Sequence, residues 1–339
     1  MKRLLLWLGL AAALCVQAAL PQLPNIGDAR VVVLANNLQN YYYNSNTGRG
    51  DYTQAEIVAK TQKIAEMMLA SNADIFAFCE VEAKPVALQY LVQELNEAAG
   101  STLYAAVEDG IDEDWDEYYN NNIKSGFVYK IATVEPFGSD VATTNATYYR
   151  NTMRIQAWTE KATGEHFTLS MNHFKAGSGD SNAEQRVKNA NWLTSGLSSS
   201  SKVKDPDILI MGDLNCQMSE PAMDVLVNAG YEEQLLRFDS KAYSYIYKST
   251  KELIDHAFAN STMAEQITGA AVWHTNTSAK YNARYSDHDA VLVGLRLGNG
   301  EQGFEETDTE VPVIKILREG QLIIIRGGVE YTITGVRLQ

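Results

Sequence analysis

The chain has 339 residues, of which 45% are hydrophobic and 21% charged, and its formal net charge is −14 at pH 7. This length permits one large α/β domain with an appendage, or two ordinary domains. The acidic charge argues against a general polyanion binder, because such binding needs a basic face, but it allows an enzyme that meets phosphate only in a cleft.

The first nineteen residues are typical of a signal peptide. Lys2 and Arg3 precede an apolar run over residues 4–16, and small residues then offer a cleavage point after Ala18 or Ala19. The alternative, a membrane anchor, is disfavoured because the run is too short to span a bilayer. We therefore expect export to the extracellular space, the cell surface or the periplasm, without stable membrane insertion. Cleavage leaves 26 of the 28 basic residues against 42 acidic ones, a net charge of −16.

Helices and strands alternate through the first half of the chain, and strands crowd the second. The capping boxes Thr53–Glu56 and Ser181–Glu184 predict helices that run to about Ser71 and Leu197. Further helices are predicted over 85–99 and 220–229, and strands over 30–35, 73–79, 104–107, 125–129, 153–159, 167–172, 207–211, 243–247, 254–257 and 291–296. This order predicts a mixed sheet, or two sheets, covered by helices.

The tail differs in composition from the rest of the chain. A polar, glycine-rich and acidic stretch separates a main domain, predicted over residues 25–298, from a small β-module over 312–339, with the linker placed at 299–311. The runs KILREGQLIIIRGG at 315–328 and YTITGV at 331–336 make the module similar to the type IX sorting domains of exported Bacteroidota proteins, which implies secretion machinery as its partner. The alternative is an accessory β-hairpin, and the sequence does not decide between them.

Cys79 and Cys216 are the cysteines that remain after processing. Export makes a disulfide chemically feasible, but the sequence gives no distance between the two thiols. We expect two buried free thiols.

Polar side chains suited to phosphate chemistry directly follow several predicted strands. Hydrolysis of a phosphodiester needs a divalent cation, a base for water and stabilisation of the developing charge. Hard cations such as Mg²⁺ bind carboxylate and amide oxygens. The candidates are Asn37, Asn40, Glu80, Asp213, Asn215, Asp255, Asp287 and the histidines His173, His256 and His288. The spacing of Asp213 and Asn215 points both side chains the same way if the chain stays extended.

Eight short blocks, in order, resemble the endonuclease/exonuclease/phosphatase family, which includes secreted deoxyribonucleases, abasic-site endonucleases, neutral sphingomyelinases and inositol-polyphosphate phosphatases. The blocks are Asn37–Asn40, Asp74–Glu80, Ser125–Tyr129, Arg150–Met153, Asn172–Lys175, Gly212–Asn215, Ile254–His256 and Ser286–His288. The match spans about residues 30–297. It implies a four-layer α/β sandwich of two mixed β-sheets flanked by helices.

The resemblance also implies roles for the metal ligands and the base. Glu80 becomes the main metal ligand, with Asn37 positioning it and Asp287 beside the metal, which is expected to be Mg²⁺ with Mn²⁺ or Ca²⁺ as alternatives. His288 becomes the general base, held by Asp255, since a carboxylate partner fixes the imidazole tautomer. In addition, Asp213 orients the attacking water and Asn215 holds a phosphate oxygen.

Other residues are assigned to the substrate. His173 resembles an acid that protonates the leaving oxygen, while Arg150, Asn40 and Lys175 are expected to bind substrate. The chain departs from the family at Gln39, where an acidic residue is more common. A carboxylate that orients His173 is not identifiable from sequence.

The leading hypothesis is therefore a secreted nuclease that cleaves DNA, and RNA as a further substrate, by metal-assisted attack of water. The second is a phosphodiesterase or phosphatase acting on a phospholipid, as sphingomyelinases do, or on an inositol phosphate. The third is a non-catalytic surface-binding module, which is disfavoured because every chemistry-bearing position keeps its residue type.

Overall fold

The computed structural model describes residues 20–43, 53–82, 86–107, 123–142, 153–199, 205–278, 284–298, 313–318, 321–326 and 329–332. The predicted signal peptide, the predicted linker and Arg150 lie outside these ranges. The chain divides into two compact units, Met1–Gly298 and Asn299–Gln339, which we describe separately. Within the described ranges, no helix combines the length and apolarity needed to cross a membrane.

The first unit contains fourteen strands and six helices within its described residues. The strands are β1 (Val31–Tyr41), β2 (Ile75–Glu82), β3 (Tyr104–Ala106), β4 (Ile123–Lys130), β5 (Val134–Ala142), β6 (Met153–Glu160), β7 (His166–His173), β8 (Ile208–Asp213), β9 (Glu232–Glu233), β10 (Tyr245–Tyr247), β11 (Thr250–Glu252), β12 (Asp255–Ala259), β13 (Ile267–Trp273) and β14 (Ala290–Leu295). The helices are α1 (Gln54–Ser71), α2 (Val86–Ala99), α3 (Asp180–Ser199), α4 (Pro221–Asn228), α5 (Gln234–Phe238) and α6 (Ser261–Ala264).

Two six-stranded mixed sheets organise this unit. The first has the order β13-β14-β1-β2-β4-β3, and only its β1–β2 pair is parallel among the described strands. The second has the order β5-β6-β7-β8-β12-β9, and there the β7–β8 pair is parallel. A separate hairpin joins β10 to β11.

Apolar side chains from the inner faces of both sheets form one core. Val33 and Ala77 of the first sheet share this buried cluster with Met171 and Met211 of the second. Because side chains alternate along a strand, the next residues point to the outer faces.

Helices cover both outer faces. Leu34 of the first sheet packs in a cluster with Ile64 of α1 and Leu91 of α2. On the second sheet, Ile210 packs in a cluster with Leu193 of α3, and Leu226 of α4 belongs to the same cluster. The predicted four-layer sandwich of two mixed sheets flanked by helices is therefore confirmed.

The helix ends confirm one of the two capping predictions. Thr53 and Glu56 form the reciprocal capping box at the start of α1, and Asn72 ends that helix in a left-handed conformation. The second predicted helix is also present, as α3, but its start is misplaced, since α3 begins at Asp180 and Ser181 lies inside its first turn.

Gly212 allows β8 to run two residues further than predicted. Its φ is 131°, and a Cβ at this position would lie 2.1 Å from the Asn172 carbonyl oxygen. Only glycine can therefore keep β8 this close to β7 and carry the pairing through to Asp213. In contrast, β13 is missing from the predicted strands because Gly269 and Ala270 interrupt its larger apolar residues.

The second unit contains a three-stranded antiparallel sheet, formed by β15 (Val313–Arg318), β16 (Gln321–Arg326) and β17 (Val329–Thr332). Ile316 is the register partner of Ile323 in the first pair, and Ile324 is the register partner of Tyr331 in the second. The three strands thus form a simple meander.

Candidate active site

The ends of β1 and β2 place an amide beside a carboxylate. Asn37 is the register partner of Cys79 on these parallel strands, so Glu80 follows next to it. Asn37 Nδ2 donates to Glu80 Oε1 at 3.2 Å and to Asp213 Oδ2 at 2.9 Å. An amide nitrogen carries two protons and can therefore hold both carboxylates at once. Asn37 thus links the first sheet to the second.

The backbone here is left-handed at three non-glycine residues, namely Gln39 (φ 50°), Asn40 (φ 55°) and Glu80 (φ 55°). Such conformations each cost on the order of 1 kcal/mol and cluster at functional sites. The turn lets the Asn40 N–H donate to Glu80 Oε2 at 3.0 Å and the Gln39 N–H donate to Asn37 Oδ1 at 2.8 Å. Both oxygens of Glu80 are thereby fixed, while its side chain keeps 17% exposure.

The second sheet contributes three side chains through its regular register. His173 pairs with Asp213 across β7 and β8, and Asp255 pairs with Asp213 across β8 and β12. Register partners project to the same face of a sheet. All three side chains are buried, so they form one cluster at this edge.

His288 joins this cluster from the loop before β14. Its Nδ1 lies 2.7 Å from Asp255 Oδ2, and its Nε2 lies 3.8 Å from Asp213 Oδ2 and 4.0 Å from Asp287 Oδ1. Burial lowers the pKa of His288, but the carboxylates of Asp255 and Asp213 outweigh burial and raise this pKa to about 10. The imidazole is therefore protonated at neutral pH unless the surrounding negative charge is compensated.

Side-chain hydrogen bonds hold the His288 loop in place. Ser286 Oγ donates to the Asn37 carbonyl at 2.6 Å and accepts the His288 N–H at 3.2 Å. Asn276 Nδ2 donates to the His288 carbonyl at 2.8 Å, and Asn276 Oδ1 accepts the N–H groups of Tyr285 and Ser286. Asn276 escapes the sequence prediction because it lies in a loop that has no strand-end pattern.

His173 faces the carboxylates of both sheets. Its Nε2 lies 3.6 Å from Asp213 Oδ2 and 3.7 Å from Glu80 Oε1. The sequence did not show which carboxylates lie beside His173, and the structure places Asp213 and Glu80 next to its Nε2. Their distances describe charge contacts longer than ordinary hydrogen bonds.

Asn215 turns away from the extended path on which the sequence expectation depended. Its φ is 52°, so Asp213 and Asn215 do not continue one strand. The Asn215 N–H donates to Asp213 Oδ1 at 2.9 Å, and its Nδ2 donates to the Phe174 carbonyl at 3.2 Å. In this geometry Asn215 fixes Asp213.

The remaining predicted residues lie around this centre. Asp287 is 28% exposed and stands beside His288, while Asn40 supports Glu80 through its backbone. The backbone of Lys175 is anchored, since its N–H donates to Asn189 Oδ1 at 3.2 Å and its carbonyl accepts from Arg186 Nη1 at 3.2 Å. Binding of substrate by Asn40, Lys175 and Arg150 stays a prediction.

Two residues beside the site carry no recognisable sequence signal. Lys60 on α1 donates from Nζ to the Gln39 carbonyl at 2.6 Å, although its position four residues after Glu56 is typical of a solvated helix face. The Tyr245 ring lies 4.7 Å from the His288 ring, in a hairpin whose residues look like an ordinary strand in the sequence. Neither contact follows from local spacing.

The donor set fits a divalent cation. Asp213, Asp255 and His288 can each offer one ligand atom within 4.8 Å of the others, but Nδ1 of His288 is already engaged with Asp255. Glu80, which Asn37 joins to Asp213 and which keeps 17% exposure, is the carboxylate that would bind a cation here. Burial raises the pKa of Asp213 above its ordinary value, which the facing His288 only partly offsets. Burial also acts to raise the pKa of Glu80, but the His173 imidazole and the Asn37 amide outweigh it and lower this pKa. Carboxylates packed this closely need positive charge nearby.

Comparisons with solved structures support the fold. The chain is similar to the endonuclease/exonuclease/phosphatase from Bacteroides vulgatus, with 15% identity and a TM-score of 0.57 over 79% of this chain and 99% of that one. It is similar to the mannosyl-6-phosphatase from Bacteroides thetaiotaomicron, with 18% identity and a TM-score of 0.52 over 79% and 100% of the two chains. It is also similar to D. rerio TDP2 complexed with single strand DNA product, with 13% identity and a TM-score of 0.51 over 79% and 99%.

Sequence comparison identifies the family itself. No curated protein matches the chain. However, the model of the Endonuclease/Exonuclease/phosphatase family matches residues 42–288, which is more than half of the chain and includes Glu80, His173, Asp213, Asp255 and His288, while Asn37 and Asn40 precede the match. The chain therefore belongs to the Endonuclease/Exonuclease/phosphatase family and is a phosphoesterase.

Proposed function

We propose that this phosphoesterase is an exported, Mg²⁺-dependent phosphodiesterase, and that its substrate is DNA, with RNA as a further substrate. The observation that carries the proposal is the pair formed by His288 and Asp255, whose ring nitrogen and carboxylate oxygen lie 2.7 Å apart. The other ring nitrogen of His288 then faces Asp213 and Asp287. A base, its partner and further carboxylates thus meet at one point between the two sheets.

The protein's own groups divide the work of hydrolysis. Asp255 holds the imidazole through Nδ1, so that Nε2 of His288 accepts the proton of the attacking water. Asp213 lies 3.8 Å from that nitrogen and is placed to orient the same water. Because the pKa of His288 is about 10 beside uncompensated carboxylates, it acts as a base only when their charge is balanced.

The second histidine, His173, is proposed to act on the leaving group. His173 lies beside both Asp213 and Glu80 and is placed to return a proton to the leaving oxygen. In this proposal Asn215 and Arg150 bind the phosphate oxygens of the substrate. Glu80, with Asn37 and Asp287 beside it, would hold Mg²⁺, which would supply Lewis-acid stabilisation of the phosphate charge, with Mn²⁺ and Ca²⁺ as alternatives.

The chemical class of the substrate has two candidates. A nucleic acid is supported by the sequence blocks and by the similar fold of TDP2, which was solved with single strand DNA product. A phospholipid or inositol phosphate is favoured by the net charge of −14, which opposes approach to a long polyanion. The phosphatase among the similar structures agrees with a small substrate at the level of fold.

Export is proposed from the sequence of residues 1–19, and the tail from residue 312 is proposed to serve secretion. Fractionation of the producing cell, with mass spectrometry of the mature N-terminus, tests the export proposal. We expect mature protein that begins at residue 19 or 20 outside the cytoplasm. Full-length protein retained in the cytoplasm would contradict export.

A substrate panel tests the catalytic proposal. Purified mature protein is incubated with plasmid DNA, RNA, sphingomyelin, a phosphoinositide and a bis-ester reporter, each with Mg²⁺ or with EDTA. We expect Mg²⁺-dependent cleavage of DNA that is absent from a parallel His288→Ala preparation. Cleavage of the lipids alone would move the assignment to the second candidate. No cleavage of any substrate would leave a binding module as the better account.

A further inference from the structure

Lys60 reaches the predicted metal pocket from outside the two sheets. It lies in the second turn of α1, and its Nζ donates to the Gln39 carbonyl at 2.6 Å. Burial lowers the pKa of Lys60 to about 8, and the carboxylates of Glu80 and Asp287 act in the opposite direction. The hydrogen bond to the Gln39 carbonyl holds the ammonium group of Lys60 against the turn that supports Glu80.

The carbonyl that Lys60 contacts is part of an unfavourable turn. Gln39 and Asn40 are consecutive non-glycine residues with φ of 50° and 55°. Left-handed backbone of this kind persists only where surrounding contacts determine it. Two of these contacts come from the pocket itself, because the Gln39 N–H donates to Asn37 and the Asn40 N–H donates to Glu80. The contact from Lys60 is the one that originates on a helix.

We propose that Lys60 is a positioning residue for Glu80, and that it acts by clamping the Gln39–Asn40 turn whose amide holds the Glu80 carboxylate. This inference rests on the proposed function, since it takes Glu80 to be a metal ligand. The chain of contacts runs from Lys60 Nζ to the Gln39 carbonyl, and from the Asn40 N–H to Glu80 Oε2. Gln39 and Asn40 are both neutral, so the turn contributes no charged side chain of its own.

Clamping and charge repulsion predict opposite results for the loss of Lys60. As a competing cation, Lys60 would weaken metal binding, and its removal would tighten the site. As a clamp, Lys60 orders the ligand before the metal arrives, and its removal loosens the site. The hydrogen bond from Lys60 to the strained carbonyl favours the clamp, and partners that orient metal ligands typically change metal affinity by about 10–100-fold.

The test is a titration of metal-free mature protein with Mn²⁺, followed by calorimetry or electron paramagnetic resonance, so that it does not depend on activity. We expect Lys60→Met to weaken Mn²⁺ binding about tenfold or more, and Lys60→Arg, which keeps the charge and the donor, to stay within about threefold of wild type. Lys63→Met is the matched control, because Lys63 lies on the same helix and its Nζ also donates to a backbone carbonyl, that of Arg284, at 3.1 Å. We expect no change in that variant.

Each outcome separates the two proposals. Unchanged or tighter Mn²⁺ binding by Lys60→Met would overturn the clamp while leaving the metal-dependent function in place. Failure of the wild-type protein to bind Mn²⁺ would overturn the proposed function itself. Circular dichroism verifies that Lys60→Met is folded, and Lys60→Gln, which lacks the charge and is too short to keep the same bond, replaces it if it is not.

Discussion

The two sheets build their halves of the site in different ways. The second sheet places His173, Asp213 and Asp255 by uninterrupted strand register, so that neighbouring strands bring the side chains together. The first sheet places Glu80 and Asn37 where β1 and β2 lose regular register and the backbone becomes left-handed. We call the part of the site on the second sheet the register half, because strand pairing positions it. We call the part on the first sheet the strained half, because left-handed backbone and particular side-chain contacts position it.

This difference teaches which substitutions each half tolerates. Where register sets the position, a changed side chain loses its chemistry but leaves its neighbours in place. Where a strained turn sets the position, a changed side chain also releases backbone strain and moves the ligand. Side-chain hydrogen bonds that join the halves include those of Asn37 to Glu80 and Asp213, and the bond between His288 and Asp255.

The largest expected effect comes from removing the His288 side chain, which is the proposed general base. We expect His288→Ala to lower the turnover number by at least about 100-fold, because the base is lost while the strand register that holds Asp255 remains. Steady-state kinetics on the bis-ester reporter, with a thermal melt to show that the fold is kept, measures this. His274→Ala is a matched control, since His274 also bonds a carboxylate, with its Nδ1 2.7 Å from Asp289 Oδ2. Equal losses in both variants would contradict the assignment.

The next effect tests the half built by register. A methyl group at Gly212 would meet the Asn172 carbonyl oxygen at 2.1 Å, so Gly212→Ala must separate β8 from β7. We expect a loss of about 2–3 kcal/mol in the free energy of unfolding. Gly164→Ala separates conformational cost from the clash, because Gly164 also has positive φ but has nothing within 4 Å of the added carbon. Urea denaturation measures the free energy of unfolding of both variants. Equal losses of this free energy would show that the structure removes the clash at residue 212 at no cost, and would contradict the prediction.

A smaller effect tests the strained half. Asn37→Ala removes the donor shared by Glu80 and Asp213, and we expect the Mg²⁺ concentration for half-maximal activity to rise about tenfold. Activity measured across a range of Mg²⁺ concentrations gives this value. An unchanged Mg²⁺ requirement with a lower turnover number would show that Asn37 acts on the substrate instead.

The smallest effect is a pH dependence within the register half. Burial lowers the pKa of His256, but Glu233 outweighs it, so the pKa in the folded protein is raised. Such a group contributes stability that is present below the unfolded value near 6.5 and is lost as the pH rises through the folded value. We therefore expect His256→Gln to be less stable than wild type by about 1 kcal/mol at pH 5.5, with the gap shrinking above pH 6.5. Thermal melts from pH 5 to 9 test this, and a gap that widens with pH would contradict it.

The sequence predicts the register half better than the strained half, for a physical reason. His173, Asp213 and Asp255 follow or begin buried apolar runs, and such runs mark strand ends whichever residues they pair with. Positions of the strained half depend on contacts between distant residues, such as the one between Asn37 and Asp213 or the one between Asn276 and His288. The spacing of residues within a short stretch of sequence does not predict these contacts.

The same reason explains the two clearest differences from the sequence expectations at the site. Asn215 adopts a left-handed φ because its N–H turns back to Asp213 and its amide reaches the Phe174 carbonyl, which a spacing rule for extended chains does not include. Lys60 has the spacing of an exposed helix residue, and only the tertiary position of α1 brings it to the Gln39 carbonyl.

Metal-dependent hydrolysis at the junction of the two halves is tested most directly by metal removal and return. Mature protein is stripped with EDTA, dialysed and assayed on plasmid DNA and the bis-ester reporter before and after addition of Mg²⁺. We expect no cleavage without metal and full recovery on addition of Mg²⁺. Cleavage that persists in the metal-free protein, or that is absent with every divalent cation tested, would contradict the account.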